Sequence, residues 1–322
     1  MKKLHSGCSK TPPGEVVTKN EWDGRTPIID PLSGSIVAGR YELIERIDRG
    51  GMAIIYAAKD TLGTDKVAVK IARRDVSVET ANKALVRETV VLDRIRHENI
   101  IRLIDRGEHN GRQFLVLEHL EGVDLGERLT TEVRIPWKYC RDILLPICHA
   151  LQAVHDAGIV HRDIKPGNMF LTTTLVKLID FGLARLSEEE ERRIPGIVAG
   201  TLHYLAPEMI REERYDHRID IYALGITMYE MLSGVWPFDG DYMDIMLGHK
   251  NVIPALPSRM RPYLGIPAEL DAIVMRALEK DPKRRFMTAS EMGEMIESVT
   301  GWPREEEVEG MTWEAIEKKH AS

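Results

Sequence analysis

His161-Arg162-Asp163-Ile164-Lys165-Pro166-Gly167-Asn168, followed after a short apolar hairpin by Ile179-Asp180-Phe181-Gly182, decides how this 322-residue chain reads. Three oxygen-bearing side chains, Asp163, Asn168 and Asp180, recur on adjoining strand ends. Mg²⁺ is a hard cation that takes oxygen ligands, a few from protein and the rest from substrate phosphates and water. The Asn168 amide oxygen and the Asp180 carboxylate suit such a site. Asp163, with Lys165 close by, is a second carboxylate that can accept a hydroxyl proton beside a phosphoryl group.

Working outward toward the N-terminus, residues 41–47, 54–59 and 66–72 are short runs rich in β-branched residues, separated by Gly-bearing turns, and predict strands. Residues 79–95 place Leu85, Val86, Leu92 and Ile95 at helical spacing among strong helix formers. His109-Asn110-Gly111 joins two apolar runs as a hairpin turn would. After Gly122 the pattern turns helical. Residues 137–157 carry Ile143, Leu144, Ile147, Leu151 and Val154 on one face, and residues 219–232 are apolar on nearly every side, as in a buried central helix. Residues 268–278 and 290–299 predict amphipathic surface helices. The fold class is therefore α+β, a small β-rich lobe (41–120) and a larger helical lobe (121–300) with a cleft between them.

The flanks read differently. Residues 1–40 are rich in Pro, Gly, Ser and Thr and predict a flexible leader, with Trp22, Ile28 and Ile29 as its only candidate anchors. Residues 301–322 form a charged extension containing Arg304-Glu305-Glu306-Glu307, Trp313 and Ile316. Polar residues follow the basic Met1-Lys2-Lys3 start at once, so no secretion signal is expected. No apolar run reaches the ~18 residues of a membrane span. A net charge of −7 argues against a nucleic-acid partner, which calls for a basic face. Cys8, Cys140 and Cys148 have neither disulfide arithmetic nor metal-ligand spacing, which fits a reducing, cytoplasmic location.

The two quoted strings, in this order, resemble the eukaryotic-type protein kinase superfamily, in the manner of bacterial Ser/Thr kinases. The resemblance runs from about residue 41 to residue 299. It implies a two-lobed fold and transfer of the γ-phosphoryl group of ATP, with Mg²⁺ or Mn²⁺, to Ser/Thr hydroxyls of protein substrates, with self-association for autophosphorylation as an accompaniment. Carried over residue by residue, it implies Asp163 as catalytic base, Lys165 as a γ-phosphate contact, and Asn168 and Asp180 as metal ligands. Lys70, in Val67-Ala68-Val69-Lys70, would contact the α/β-phosphates and pair with Glu88. Ile55, Ala68 and Phe170 would sandwich the adenine, with Leu117 as gatekeeper and the backbone of Glu118-His119-Leu120 as its hydrogen-bonding edge. Leu92, Leu103, His161 and Phe181 would stack into a spine coupling the lobes. Glu208, in Ala206-Pro207-Glu208, would pair with Arg285, and Asp220 would anchor the catalytic loop.

The chain departs from that pattern in its phosphate-covering loop, Asp48-Arg49-Gly50-Gly51-Met52-Ala53. Gly50 and Gly51 remain as phosphate-contact candidates, but Asp48 and Ala53 stand where the family has its first and third glycines. Each replacement narrows the backbone freedom of the loop. Leu202 stands where the family often has proline. The activation loop offers no hydroxyl between Ser187 and Thr201, and has instead Glu188–Glu191, of which one could pair with Arg162 in place of a phosphate. Two other readings compete with an active protein kinase. One is a nucleotide-binding scaffold without transfer activity, against which stand Lys70, Glu88, Asp163, Asn168 and Asp180, all present. The other is a small-molecule phosphotransferase, against which stand Arg162 and the Ala206-Pro207-Glu208 segment.

Overall fold

Residues 32–132, 134–186 and 202–302 are described by the computed structural model. The expectations for Trp22, Ile28 and Ile29, for residues 187–201 and for residues 304–316 lie outside them.

Period-two alternation builds the first lobe. Strands β1 (Ile36–Val37), β2 (Tyr41–Arg49), β3 (Ala53–Asp60) and β4 (Lys66–Ala72) are followed by helix α1 (Val78–Arg94) and by β5 (Leu103–His109) and β6 (Arg112–Glu118). They form a six-stranded antiparallel sheet in the order β1-β2-β3-β4-β6-β5. β1 corrects the sequence reading of residues 1–40 at its inner end, since Val37 pairs with Tyr41 and is buried. In β4, Val67, Val69 and Ile71 pack outward with Tyr41, Tyr56 and Phe114, while Ala68 and Ala72 pack inward toward α1. Both faces of this strand are thus covered, which explains its nearly continuous apolar run.

Helix α1 opens on Ser77, whose hydroxyl accepts the Thr80 N–H. Its buried stripe is Ala81, Leu85, Glu88 and Leu92, not the expected set containing Val86. Val86 is exposed, because one residue beyond Leu85 turns the side chain about 100° off the stripe. In the β5–β6 hairpin, Asn110 and Gly111 both take positive φ (52° and 74°), the conformation a two-residue type I′ turn requires.

The second lobe contains β7 (Gly122–Asp124), α2 (Leu125–Glu132), α3 (Trp137–Asp156), β8 (Ile159–Val160), β9 (Met169–Thr172), β10 (Val176–Leu178) and β11 (Arg185–Leu186). Helices α4 (Pro207–Ile210), α5 (Arg218–Ser233), α6 (Tyr242–Asn251), α7 (Pro257–Met260), α8 (Ala268–Ala277) and α9 (Ala289–Glu297) complete it. α5 is buried over almost its whole length and stops at Gly234, whose φ of 73° is the left-handed cap. α9 lies on α3 where Gly293 meets Cys148. A Cβ on Gly293 would come within 3.2 Å of the Cys148 Cβ, so the missing side chain sets this approach.

Two small pairings place the site. The antiparallel β9–β10 hairpin puts residues 163–168 before one strand and 180–182 after the other. The lobes are stitched by Ile101 N to Leu178 O (3.0 Å) and Leu178 N to Asn99 O (2.8 Å). No helix among the described residues is long and apolar enough to cross a membrane.

Candidate active site

β4 alternation turns Lys70 to the face opposite Val69 and Ile71, toward α1 and the cleft. Its Nζ lies 2.7 Å from Glu88 Oε1 and 2.9 Å from Asp180 Oδ1. Burial opposes the charge on Lys70, but the Asp180 and Glu88 carboxylates outweigh it and hold the ammonium above its ordinary range. Burial pushes the Glu88 carboxyl up, with Lys70 opposing and Asp180 reinforcing. Lys70 in turn holds Asp180 down at about 2, against burial. Glu88 is the polar break in the apolar stripe of α1, and the ion pair accounts for it.

The segment carrying Asp163 hangs from α5. Asp220, 1% exposed, accepts the N–H groups of His161 and Arg162, each at 2.8 Å, and lies 2.9 Å from His155 Nε2. These bonds hold Arg162 at φ 69°, and Asp180 sits at φ 60°. Left-handed backbone is uncommon for a residue with a side chain and persists where the surroundings impose it. The Arg162 guanidinium lies over the Tyr215 ring, 5.6 Å from its centroid. The His161 ring packs against Phe181, centroids 4.7 Å apart, and burial pushes its pKa down. The ring is packed rather than exposed, as the spine expectation had it. Phe181 and Leu92 are buried in the main core, with Leu103 half-buried against it.

Asp163 is the centre of this loop. Its Oδ2 takes Lys165 Nζ at 2.7 Å and Asn168 Nδ2 at 2.9 Å, while Asn168 Nδ2 also donates to Asp163 O at 2.7 Å. Its Oδ1 is buried and has no hydrogen-bond partner among the described residues. A buried carboxylate oxygen without a donor is costly, so this atom is set to receive one. With the Asn168 N–H groups turned to Asp163, the amide oxygen is the atom left for a cation. Asp180 offers Oδ2, since Oδ1 takes Lys70 and, at 3.2 Å, the Gly182 N–H. Among the described residues no group of three or more His, Cys, Asp or Glu forms a metal cluster. One carboxylate and one amide oxygen fit Mg²⁺ held jointly with phosphate oxygens.

The cleft wall is apolar. Ala68 and Leu117 are paired across β4 and β6 and buried, and Ile55 is paired with Lys70 on the same inner face. Phe170 lies between buried Met169 and Leu171 on β9, so it faces away from the lobe core. Glu118 differs from its expected role in one respect. Its N–H is used by Arg102 O at 3.0 Å, and its side chain by Arg102 N (2.8 Å) and by Lys177 Nζ (2.7 Å). Leu120 is half-buried against the core. At the loop over the cleft, neither Gly50 nor Gly51 takes a positive φ, and a Cβ on Gly51 would meet nothing within 4 Å. Conformational freedom is not what these two glycines supply. Ala53 opens β3 as a buried residue, and the exposed Asp48 carboxylate binds the next backbone N–H, of Arg49, at 2.7 Å.

Farther out, Arg285 grips Glu208 bidentately at 2.6 and 2.7 Å, both side chains buried, as expected. The sequence reading missed three partners. They are Lys177 for Glu118, His155 for Asp220, and Arg73, which bonds the carbonyls of Gly50 and Gly51. Lys177 could have been found: a lysine between Val176 and Leu178 in a buried strand needs a carboxylate.

Residues 41–295 match the family described as "Protein kinase domain". The chain is 38% identical over 270 residues to "Probable serine/threonine-protein kinase PknB" of Corynebacterium glutamicum, covering 80% of this chain and 42% of that protein. It is 34% identical to the PknB of Lactococcus lactis over 262 residues (80% and 42%). It is also 34% identical to "Serine/threonine-protein kinase PknE" of Mycobacterium tuberculosis over 256 residues (79% and 45%). The chain thus spans less than half the length of these curated relatives.

Proposed function

Because this chain belongs to the protein kinase family, we propose that it transfers the γ-phosphoryl group of ATP to serine and threonine hydroxyls of protein substrates. The observation that carries the proposal is the buried Oδ1 of Asp163, which has no hydrogen-bond partner among the described residues, in a chain that also holds the Lys70–Glu88–Asp180 cluster. In this reading Oδ1 accepts the hydroxyl proton of the acceptor, while Asn168 and Lys165 fix the carboxylate through Oδ2. Lys70, held charged and oriented by Glu88, meets the α/β-phosphates, and Lys165 faces the transferred group. Ile55, Ala68, Leu117 and Phe170 enclose the adenine, with hydrogen bonds at the backbone of residues 118–120 other than the Glu118 N–H, which Arg102 O takes. Asp180 and Asn168 would hold Mg²⁺ or Mn²⁺, which when bound neutralises charge on the phosphates.

Residues 41–300 form the catalytic unit in this proposal, acting in the cytoplasm, where ATP and reduced thiols coexist. Self-association would bring hydroxyls of one copy to the site of another for autophosphorylation. The test is incubation with labelled ATP and Mg²⁺ and mass spectrometry of the products, comparing wild type with Asp163→Asn and Asp180→Asn. Phosphoserine and phosphothreonine are expected from wild type. Asp163→Asn should keep nucleotide affinity and lower kcat about 10²-fold or more, whereas Asp180→Asn should lose both transfer and Mg-dependent ATP binding. Full activity in either variant refutes the assignment.

A further inference from the structure

The phosphate-covering loop lacks two of the family's glycines, yet it is fastened from outside by a residue that the nucleotide would not touch. Arg73 follows β4, and its N–H continues the ladder to Met52 O at 2.9 Å. Alternation therefore sets its side chain on the face of Val69 and Ile71, the outer face of the sheet, opposite Lys70. From there Nη1 donates to Gly50 O at 2.8 Å and to Gly51 O at 3.2 Å. The rest of the guanidinium is held by Asp75, Nε to Oδ1 at 2.8 Å and Nη2 to Oδ2 at 2.6 Å. Asp75 also binds Arg49 at the end of β2. Arg73, Asp75 and Arg49 so join the segment that follows β4 to the end of β2, the strand before the loop.

The trans peptide gives this arrangement its consequence. In each planar peptide the C=O and the following N–H point in opposite directions. Drawing the carbonyls of Gly50 and Gly51 to the outer face turns the N–H groups of Gly51 and Met52 toward the cleft. Consecutive N–H groups on one side of a loop are what bind phosphate oxygens.

We propose that Arg73 is a positioning residue for ATP, clamping the loop through the Gly50 and Gly51 carbonyls so that the Gly51 and Met52 N–H groups face the nucleotide phosphates. The clamp fixes by an outer ion pair what the family's further glycines leave to a flexible backbone. This inference rests on the kinase reading above, and it acts on phosphate recognition alone. Adenosine, which has the base and ribose but no phosphate, should not sense it.

The experiment compares binding of Mg·ATP and of adenosine, by calorimetry or competition with a fluorescent nucleotide, in wild type, Arg73→Gln, Arg73→Lys and Asp75→Asn. Arg73→Gln is expected to weaken ATP by about five- to tenfold, the scale of one or two lost hydrogen bonds, with adenosine unchanged. Arg73→Lys, which keeps the charge but not the fork, should fall between. Asp75→Asn changes a half-exposed carboxylate, so it keeps the question open to measurement should Arg73→Gln fold poorly. It should weaken ATP and not adenosine. Equal weakening of both ligands, or of neither, overturns the clamp. So does a wild-type protein that binds ATP no better than adenosine. If the ATP-selective loss is seen but wild type transfers no phosphate, the clamp stands and the kinase reading falls.

Discussion

Replacing Asp220 by Asn alters one atom of the carboxylate from which the Asp163 loop hangs. The two oxygens share three contacts: Oδ1 receives Arg162 N–H, and Oδ2 receives His161 N–H and faces His155 Nε2. An asparagine can keep its oxygen at only one of those positions. With the oxygen toward His161 and His155, the new NH₂ opposes the Arg162 N–H, and a buried backbone donor is left unsatisfied at a cost of about 1–3 kcal/mol. The remaining bonds lose the strength that an ionised acceptor gives. The sum is about 2–4 kcal/mol, and at roughly 2–4 °C per kcal/mol for a domain of this size the melting temperature should fall by several degrees. Arg162 is also the residue held at φ 69°, so without its bond the peptide relaxes and Asp163 shifts with it. We therefore expect kcat to fall by about tenfold, or 1.36 kcal/mol, below the melting transition, with ATP affinity unchanged. Burial raises the Asp220 carboxyl, but the hydrogen bond from His155 and the other bonds outweigh it and leave it below its ordinary value. Its contribution is thus present above the unfolded carboxylate pKa of ~3.9. It is lost as pH falls through the lower, folded value. The gap in stability between wild type and Asp220→Asn should therefore be constant from neutral pH to about 5 and close in stronger acid. Calorimetric melting and steady-state kinetics measure both parts. A variant with wild-type melting temperature and kcat would refute the reasoning.

Arg285→Met should destabilise the protein by about 3–5 kcal/mol, because it leaves the Glu208 carboxylate buried without its bidentate partner. Denaturant unfolding checks this, and addition of Glu208→Leu should recover part of the loss, which simple removal of packing would not. Gly51→Ala should leave the melting temperature unchanged or slightly higher, since the backbone there is ordinary and a Cβ meets no protein atom. The same methyl occupies the approach of the phosphates, so KM for ATP should rise; a KM equal to wild type would show that the phosphates pass elsewhere.

What the sequence made legible and what it did not divide along a physical line. Lys70, Glu88, Asp163, Asn168 and Asp180 were readable because each is a chemical type fixed by what it would bind, set in strings whose order is distinctive. The Asn110-Gly111 turn was readable because positive φ restricts which residues can occupy it. Val86 was misassigned on α1 because a β-branched apolar residue beside Leu85 reads as core until the phase of the helix is known. The end of the leader was missed because two residues, Ile36 and Val37, are too few to show a period, and only pairing with β2 makes them a strand. Lys177 with Glu118 and Arg73 with Gly50 and Gly51 were hidden for another reason: charged residues on strands have no intrinsic partner, and their acceptors lie on other strands or are backbone carbonyls that every residue carries. The same reasoning applies to the eroded glycine loop. Its own residues show only what substitution removes, whereas the Arg73 bonds to the Gly50 and Gly51 carbonyls and the strand pairing of Asp48 and Ala53 come from neighbouring strands, where a loop's sequence carries no sign of them.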